Sequence, residues 1–140
     1  MVDGERQLAR LAELERLVEQ LERVRTGGEA TYLADEDLRR MSERRLELAI
    51  QICIDIGAHL VSELSTPPPS DYAAIFKSLA DAGHLEGHLA GRLSDAARLR
   101  NLLIHLYLEI DDRRVFASLE RLEDLRAFAA VVARLADPDQ

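Results

Sequence analysis

The segment that begins at Arg100 combines residue types and spacings that suit acid–base chemistry on a phosphate. It reads Arg-Asn-Leu-Leu-Ile-His-Leu-Tyr. On a helix with about 100° per residue, Tyr107 lies about 20° from Arg100, and His105 lies about 40° from Asn101. The four polar residues therefore share one arc, and an apolar stripe is predicted to face the core on the other side. That stripe consists of Leu99, Leu102, Leu103, Leu106 and Ile110.

An arginine and a histidine on one face supply what RNA cleavage requires without a metal ion or another cofactor. A fixed guanidinium stabilises the negative charge that a phosphodiester gains during cleavage. An imidazole titrates near neutral pH, so it can accept a proton from the 2′-hydroxyl or donate one to the leaving oxygen. Arg100 and His105 are therefore the predicted catalytic pair, with a 2′,3′-cyclic phosphate end as the product. The alternative is a surface arginine beside a structural histidine.

The composition favours an all-α protein. The chain has 140 residues, of which 47% are hydrophobic and 4% aromatic. Leu, Ala, Arg and Glu are frequent, and all four favour helix over strand. No apolar run is long enough to span a bilayer, and the N-terminus lacks the basic start and apolar block of a signal peptide. We therefore expect a single domain over residues 1–140 in a cytoplasmic protein that does not contact membranes.

The formal net charge of −8 argues against non-specific coating of nucleic acid. Any RNA binding must therefore depend on a local concentration of arginine. Two groups of arginines stand out, one over residues 39–45 and the other formed by Arg92, Arg98 and Arg100. The alternative interpretation of both groups is a solvated helix face on which arginines pair with Glu and Asp.

Apolar residues three or four apart predict an antiparallel bundle of about five helices. The N-terminal helix covers 1–27, with Asp3 as its cap and the Gly27-Gly28 pair as its end. The residues from Glu29 to Ala34 are predicted to form a connection. The inward residues of the first helix are Leu8, Leu11, Leu14, Leu17, Val18, Leu21 and Val24.

A long central helix is predicted over 35–65, starting near Asp35 and carrying Leu38 and Met41 inward. From Leu46 to Val61 apolar residues surround this helix almost completely, which is typical of a helix buried on more than one side. In a domain this small, the other helices of the chain can cover one side only. We therefore predict a homodimer, in which a second subunit covers the other side.

The remaining helices lie within 71–135, after a rigid run of three prolines. The third helix is short, with Ser70 or Asp71 as its cap and Gly83 as its break. The fourth covers about 86–110, and the fifth covers about 115–135. The inward residues of the third are Tyr72, Ile75, Phe76 and Leu79, and those of the fifth are Val115, Phe116, Leu119, Leu122, Leu125, Phe128 and Val132.

The pattern Arg100-Asn101, then His105 and Tyr107, resembles the Arg-Asn-x3-His-x-Tyr signature of HepT-like toxins, which belong to the HEPN superfamily of helical ribonucleases. Two flanking stretches also resemble this family. One runs from Arg45 through Asp55 and Ile56 to His59 and is similar to its long second helix. The other starts with Pro69-Ser70-Asp71-Tyr72, continues through Phe76 and Leu79, and is similar to its proline-led third helix. The resemblance covers about residues 35–115.

The resemblance implies a HEPN-like fold and a metal-independent endoribonuclease toxin that acts as a dimer. Arg100 and His105 of two protomers would line a cleft at the interface, and Asn101 would orient the site or contact RNA. The implied partner is an MntA-like minimal nucleotidyltransferase antitoxin. It would transfer AMP from ATP onto Tyr107, and the resulting O-AMP-tyrosine would fill the cleft and repel RNA phosphates.

Other candidate residues have simpler interpretations. His84 and His88 are four apart, but no third ligand follows at a suitable distance, so we predict no metal site. His59 is interpreted as a core histidine bonded to Asp55, although Asp55 could instead orient Arg100. The single cysteine, Cys53, is interpreted as a small buried core residue. Two tyrosines, Tyr32 and Tyr72, are interpreted as packing residues.

Two further hypotheses compete with the ribonuclease toxin. One is a non-catalytic HEPN nucleotide-binding subunit that partners a nucleotidyltransferase. The other is a structural dimer in which the motif is a coincidence. Substitution of His105 by alanine separates them, because only the toxin hypothesis requires that growth arrest depends on this side chain.

Overall fold

The structure is a computed structural model that describes residues 2–64 and 67–136. All the regular secondary structure of these residues is helical. Two short 3₁₀ turns join the later helices, at Tyr107–Glu109 and Leu119–Arg121. Short connections make successive long helices run antiparallel, so the fold is an all-α bundle. The helices are α1 (Val2–Gly27), α2 (Glu29–Ala34), α3 (Glu36–Ser62), α4 (Tyr72–Asp81), α5 (Gly87–His105), α6 (Asp112–Ser118) and α7 (Leu122–Ala136).

The central helix α3 lies inside the bundle and contacts α1, α4, α5 and α7 of the same chain. Seven of the ten apolar residues that were predicted to surround it are buried, and the other three are partly buried and pack on the core. The prediction that this chain covers one side of α3 only is wrong, because its own helices enclose α3 on several sides. The pattern on α3 therefore does not require a second subunit. The three partly buried residues are Leu48, Ile52 and Leu60.

Side-chain caps fix where four of the helices begin. Asp35 accepts a hydrogen bond from the Leu38 N–H at 3.1 Å, and Asp71 accepts one from the Ala74 N–H at 2.8 Å. The carboxylate of Glu86 accepts hydrogen bonds from two backbone N–H groups in the first turn of α5, both at 3.0 Å. Asp111 does the same for α6. These caps satisfy donors that have no partner within the helix, which explains why the predicted starts of α3 and α4 are correct.

Several predictions for the N-terminal half are wrong. Helix α1 already includes Asp3, so this residue does not precede the helix as a cap. Residues 29–34, predicted to form a connection, are the short helix α2. Its Tyr32 packs in the core, where it is fully buried with its ring centroid 5.3 Å from that of Phe116. Leu8 is 65% exposed and Met41 is 48% exposed, so neither lies in the core as predicted.

The helix predicted as the fourth is α5 in the structure. It ends at His105, five residues before its predicted end. The Leu106 N–H still donates to the Leu102 carbonyl at 2.9 Å, but Leu106 itself has φ −123° and ψ 41°, outside the helical region. Helices in proteins depend on the packing of an apolar face. Leu106 and Leu108 are 47% and 88% exposed, so the apolar spacing beyond His105 is not matched by contacts.

The predicted fifth helix is two helices. It starts at Asp112, three residues early, and the 3₁₀ turn at Leu119–Arg121 separates α6 from α7. A 3₁₀ turn has fewer residues per turn than an α-helix, so it changes the angle at which the following side chains point. All seven apolar residues predicted to face inward are buried. Pro138, predicted to lie in a C-terminal tail, is outside the described residues.

No helix within the described residues is both long enough and apolar enough to cross a membrane.

We expect Gly57→Ala to destabilise the fold, because Gly57 lies where side chains of α4 pack against α3. A Cβ atom there would lie 2.8 Å from Cγ2 of Ile75, a buried branched side chain with little freedom to move. Overpacking of this kind lowers the free energy of unfolding by about 1–3 kcal/mol. Denaturant unfolding followed by circular dichroism measures the change.

Gly91→Ala is the matched control, since Gly91 is an exposed glycine inside α5 with no atom near the added Cβ. It should raise the free energy of unfolding by about 0.5–1 kcal/mol through better helix propensity. Equal stability for Gly57→Ala and the wild type would contradict the close packing described for α3 and α4.

Candidate active site

Arg100 lies near the C-terminal end of α5, where this helix packs against the start of α4. The hydroxyl of Ser94 donates to the Ala73 carbonyl at 2.8 Å and ties the two helices together there. Leu93 and Ala97 are buried and lie within about 60° of Arg100 around the helix. Arg100 therefore extends from the edge of the α4–α5 contact. The prediction that it lies on the arc away from the core is wrong.

Two neutral groups orient the Arg100 side chain. Its Nη1 donates to Oδ1 of Asn101 at 3.0 Å, and its Cζ lies 5.3 Å from the ring centroid of Tyr72. A guanidinium over an aromatic ring is held by the negative face of the ring. Tyr72 is 44% exposed, so it does not lie in the core as predicted. Its ring contacts Arg100 instead. The role predicted for Asn101, to orient the site or contact RNA, stays a prediction.

The charge of Arg100 is uncompensated among the residues that the structure describes. No carboxylate lies within 4.0 Å of its guanidinium, whereas Arg92 pairs with Asp124 at 2.8 Å and Arg98 with Asp95 at 2.9 Å. Its Nε is buried and has no hydrogen-bond partner. A guanidinium without an ion pair is suited to bind an external anion such as a phosphate.

His105 is the last residue of α5, and its side chain is exposed. It lies about 140° from Arg100 around the helix axis and about 7.5 Å along it. One chain therefore does not direct the two side chains at a common point. An exposed imidazole at a helix end is accessible to a phosphodiester, and both of its nitrogens are available for proton transfer.

Tyr107 lies in the 3₁₀ turn after α5 and is 67% exposed. Because α5 ends at His105, the predicted angle between Tyr107 and Arg100 does not apply. The flanking Leu106 and Leu108 are also exposed, so the predicted core position of Leu106 is wrong. Leu102 and Ile110 are partly buried, and only Leu99 and Leu103 of the predicted stripe are buried. The turn presents a phenol and two leucines to solvent.

Two predicted roles on α3 are not found in the structure. Asp55 accepts a hydrogen bond from the Gln51 amide at 2.8 Å and makes no ion pair with Arg100 among the described residues. His59 lies 3.4 Å from Glu63 through its Nε2, so it is not bonded to Asp55. The i, i+4 spacing on a helix fits both pairs equally well, and solvent access near the end of α3 favours Glu63.

The other histidines lie at the turn between α4 and α5. The His84 N–H donates to the Leu79 carbonyl at 2.9 Å, and His88 is exposed in the first turn of α5. Three of the arginines in the 39–45 group pair with acidic residues: the exposed Arg40 and Arg44 do so within α3, as the solvated-face interpretation predicts, whereas the mostly buried Arg39 pairs with a residue of α6. These pairs are Arg39 with Asp112, Arg40 with Glu43 and Arg44 with Glu47.

Comparison with known proteins relates residues 14–132 to the family described as "Ribonuclease HepT-like". A relative named "tRNA nuclease HepT", from Aphanizomenon flos-aquae, is 32% identical over 88 residues, which are 63% of this chain and 60% of that protein. The alignment thus spans less than two thirds of the relative.

Solved structures with the same fold include a tri-AMPylated HEPN toxin of Shewanella oneidensis in complex with an MNT antitoxin. Its TM-score is 0.82 with 23% identity, over 91% of this chain and 96% of that one. A toxin–antitoxin structure with AMP-PNP gives a TM-score of 0.81 with 23% identity, over 90% and 96% of the two chains. At 23% identity, this structural similarity shows a shared fold.

We expect Cys53 to be unreactive in the folded protein. Burial raises the pKa of its thiol to about 12, so the thiolate is scarce at pH 8 and reagent has no access. Titration with a thiol reagent should give no labelling of the native protein and one thiol per chain in denaturant. Ala58→Cys, an exposed position on α3, should label rapidly without denaturant. Rapid labelling of the native wild type would place Cys53 at an accessible site.

Proposed function

Because this chain belongs to the ribonuclease HepT-like family, we propose that it is a metal-independent endoribonuclease toxin of a toxin–antitoxin module. The observation that carries the proposal is the uncompensated guanidinium of Arg100, oriented by Asn101 and Tyr72, on the helix that ends at His105. The arrangement provides a fixed positive charge and an exposed imidazole that can transfer a proton.

In the proposed reaction the substrate supplies its own nucleophile. His105 accepts the proton of the ribose 2′-hydroxyl, and the 2′-oxygen attacks the adjacent phosphorus. The bond from phosphorus to the 5′-oxygen breaks, and a protonated His105 or water returns a proton to that oxygen. The products are a 2′,3′-cyclic phosphate and a 5′-hydroxyl. Arg100 donates to the phosphate oxygens, whose negative charge is greatest in the transition state.

We further propose that the working site is formed by two copies of the chain. The 140° separation on one helix leaves Arg100 and His105 of a single copy on different faces. A second copy related by a two-fold axis at the end of α5 would place its His105 near the first copy's Arg100. The exposed Leu106 and Leu108 beside this helix end would supply apolar contact area for such an interface.

The proposed control of the toxin is AMPylation of Tyr107 by an MntA-like nucleotidyltransferase. The phenol oxygen would attack the α-phosphorus of ATP, and pyrophosphate would leave. Tyr107 is more exposed than Tyr72 and has no hydrogen-bond partner among the described residues, whereas Tyr32 is fully buried. An added anionic nucleotide two residues from His105 would obstruct the cleft and repel an RNA phosphate.

We expect purified protein to cleave single-stranded RNA in EDTA and to leave cyclic-phosphate ends. His105→Ala should lower kcat/KM about 10²–10⁴-fold through loss of proton transfer. Arg100→Ala should lower it about 10²–10³-fold through loss of charge stabilisation. Gel analysis of end-labelled RNA, with chemical tests of the new ends, measures both the rate and the product.

The matched controls are His88→Ala, an exposed histidine on the same helix, and Arg23→Ala, an exposed arginine on α1. Both should cleave at the wild-type rate, with the same helical circular dichroism. Cleavage that requires an added divalent metal, or that survives in His105→Ala, would contradict the proposed mechanism.

We expect Tyr107→Phe to prevent inactivation by the antitoxin. With ATP and an MntA-like nucleotidyltransferase, the wild type should gain the mass of AMP groups and lose RNA cleavage. Tyr107→Phe should gain no AMP and stay active, because the acceptor oxygen is absent. Tyr72→Phe, which keeps the ring under Arg100, should be modified like the wild type. Modification of Tyr107→Phe, measured by intact-protein mass spectrometry, would place the acceptor elsewhere.

A further inference from the structure

An open groove of about 520 Å³ lies beside α5. Side chains from α3, α5, α6, α7 and the 3₁₀ turn between α6 and α7 line it. Its floor is apolar and includes Leu46, Ile50 and Leu99, and four arginines surround this floor. The volume is within the range of pockets that hold small organic ligands, which includes the size of one nucleotide.

The groove concentrates positive charge in an acidic chain. Its charged lining residues are Arg92, Arg98, Arg114 and Arg121, opposed by Asp95 and Asp124. Four positive and two negative side chains give a local charge of +2, whereas the whole chain has a net charge of −8. Focused charge of this kind attracts an anion despite the sign of the net charge.

At least two of these arginines are available to a ligand. Arg114 and Arg121 are exposed, and no carboxylate lies within 4.0 Å of either among the described residues. Arg98 is paired with Asp95, but the two side chains are 65% and 70% exposed, and such pairs contribute little stability. A phosphate can therefore displace Asp95 at low cost.

One edge of the groove, at Arg98, lies towards the candidate active site. Arg98 and His105 are seven residues apart on α5, so they lie on the same face about 10.5 Å from each other along the axis. An RNA strand with one phosphate at His105 can therefore continue past Arg98 into the groove.

We propose that this groove is a second RNA subsite, in which Arg114, Arg121 and Arg98 bind phosphates and the aliphatic floor receives a base. The proposal rests on the ribonuclease function proposed above and adds a determinant of substrate length to it. Arginine side chains suit an RNA phosphate as the ligand, because the planar guanidinium has several N–H donors that match the phosphate oxygens. An acidic segment of a partner protein is the competing occupant, and the experiment below tests it directly.

The test compares two double variants that remove the same charge. Arg114→Ala with Arg121→Ala alters the groove, and Arg6→Ala with Arg23→Ala removes two exposed arginines of α1. Both are placed in the His105→Ala protein, which prevents cleavage during binding. Fluorescence anisotropy with a labelled single-stranded RNA measures Kd over a series of salt concentrations. ATP serves as the free-nucleotide probe, and the MntA-like antitoxin as the protein probe.

The groove variant should bind RNA about ten-fold more weakly than the α1 variant. Its slope of log affinity against log salt should fall by about 1.4, which corresponds to two lost phosphate contacts on a single strand. With His105 restored, it should cleave a long RNA more slowly but cleave a dinucleoside monophosphate at the wild-type rate, because so short a substrate does not reach the groove.

Equal RNA affinity of the two variants would overturn the proposal. The same holds if the groove variant loses affinity only for ATP or only for the antitoxin. Failure of the wild type to cleave RNA would contradict the proposed function instead. In that case an RNA affinity that still depends on Arg114 and Arg121 would leave the groove as an RNA-binding site.

Discussion

The candidate site depends on a guanidinium that the protein holds in place without neutralising. Most arginines with a resolved partner pair with a carboxylate, as Arg92 and Arg98 do on the same helix. Arg100 is held instead by an amide oxygen and an aromatic ring, which fix its position but leave its charge available. A carboxylate in either place would hold the side chain equally well and would compete with the phosphate of a substrate.

That arrangement requires two helices from different parts of the chain to meet. Tyr72 is the first residue of α4, and Asp71 fixes this start by capping the helix. Gly57 allows α4 to pack closely on α3, and the Ser94 hydroxyl ties α5 to the first turn of α4. The enclosed core of α3 therefore supports the position of the ring over Arg100. At the end of α5 the described residues leave His105 and Tyr107 exposed, so both side chains are accessible to ligands and partners.

Sequence patterns predicted which segments are helical better than they predicted where the helices end and which residues of other helices they contact. Buried stripes, as on α7, and caps such as Asp35 are local signals, so the core residues and several helix starts followed from spacing alone. The contact of Tyr72 with Arg100 joins residues 28 positions apart and has no local signature. The end of α5 could not be predicted because the apolar spacing continues through Leu106 and Leu108, which the described residues leave exposed. Exposure of Leu108 depends on which helices are absent nearby, and spacing does not encode that.

The central claim is that Arg100 of one copy acts with His105 of another at the end of α5. Co-expression of Arg100→Ala and His105→Ala chains tests it, because each variant alone is inactive while a mixed dimer regains one complete site. Half of the dimers are mixed and one of the two sites in each is intact, so RNA cleavage should recover to about one quarter of the wild-type rate. Cleavage that stays at the level of the single variants, in a preparation shown to contain mixed dimers, would contradict a site shared between two copies.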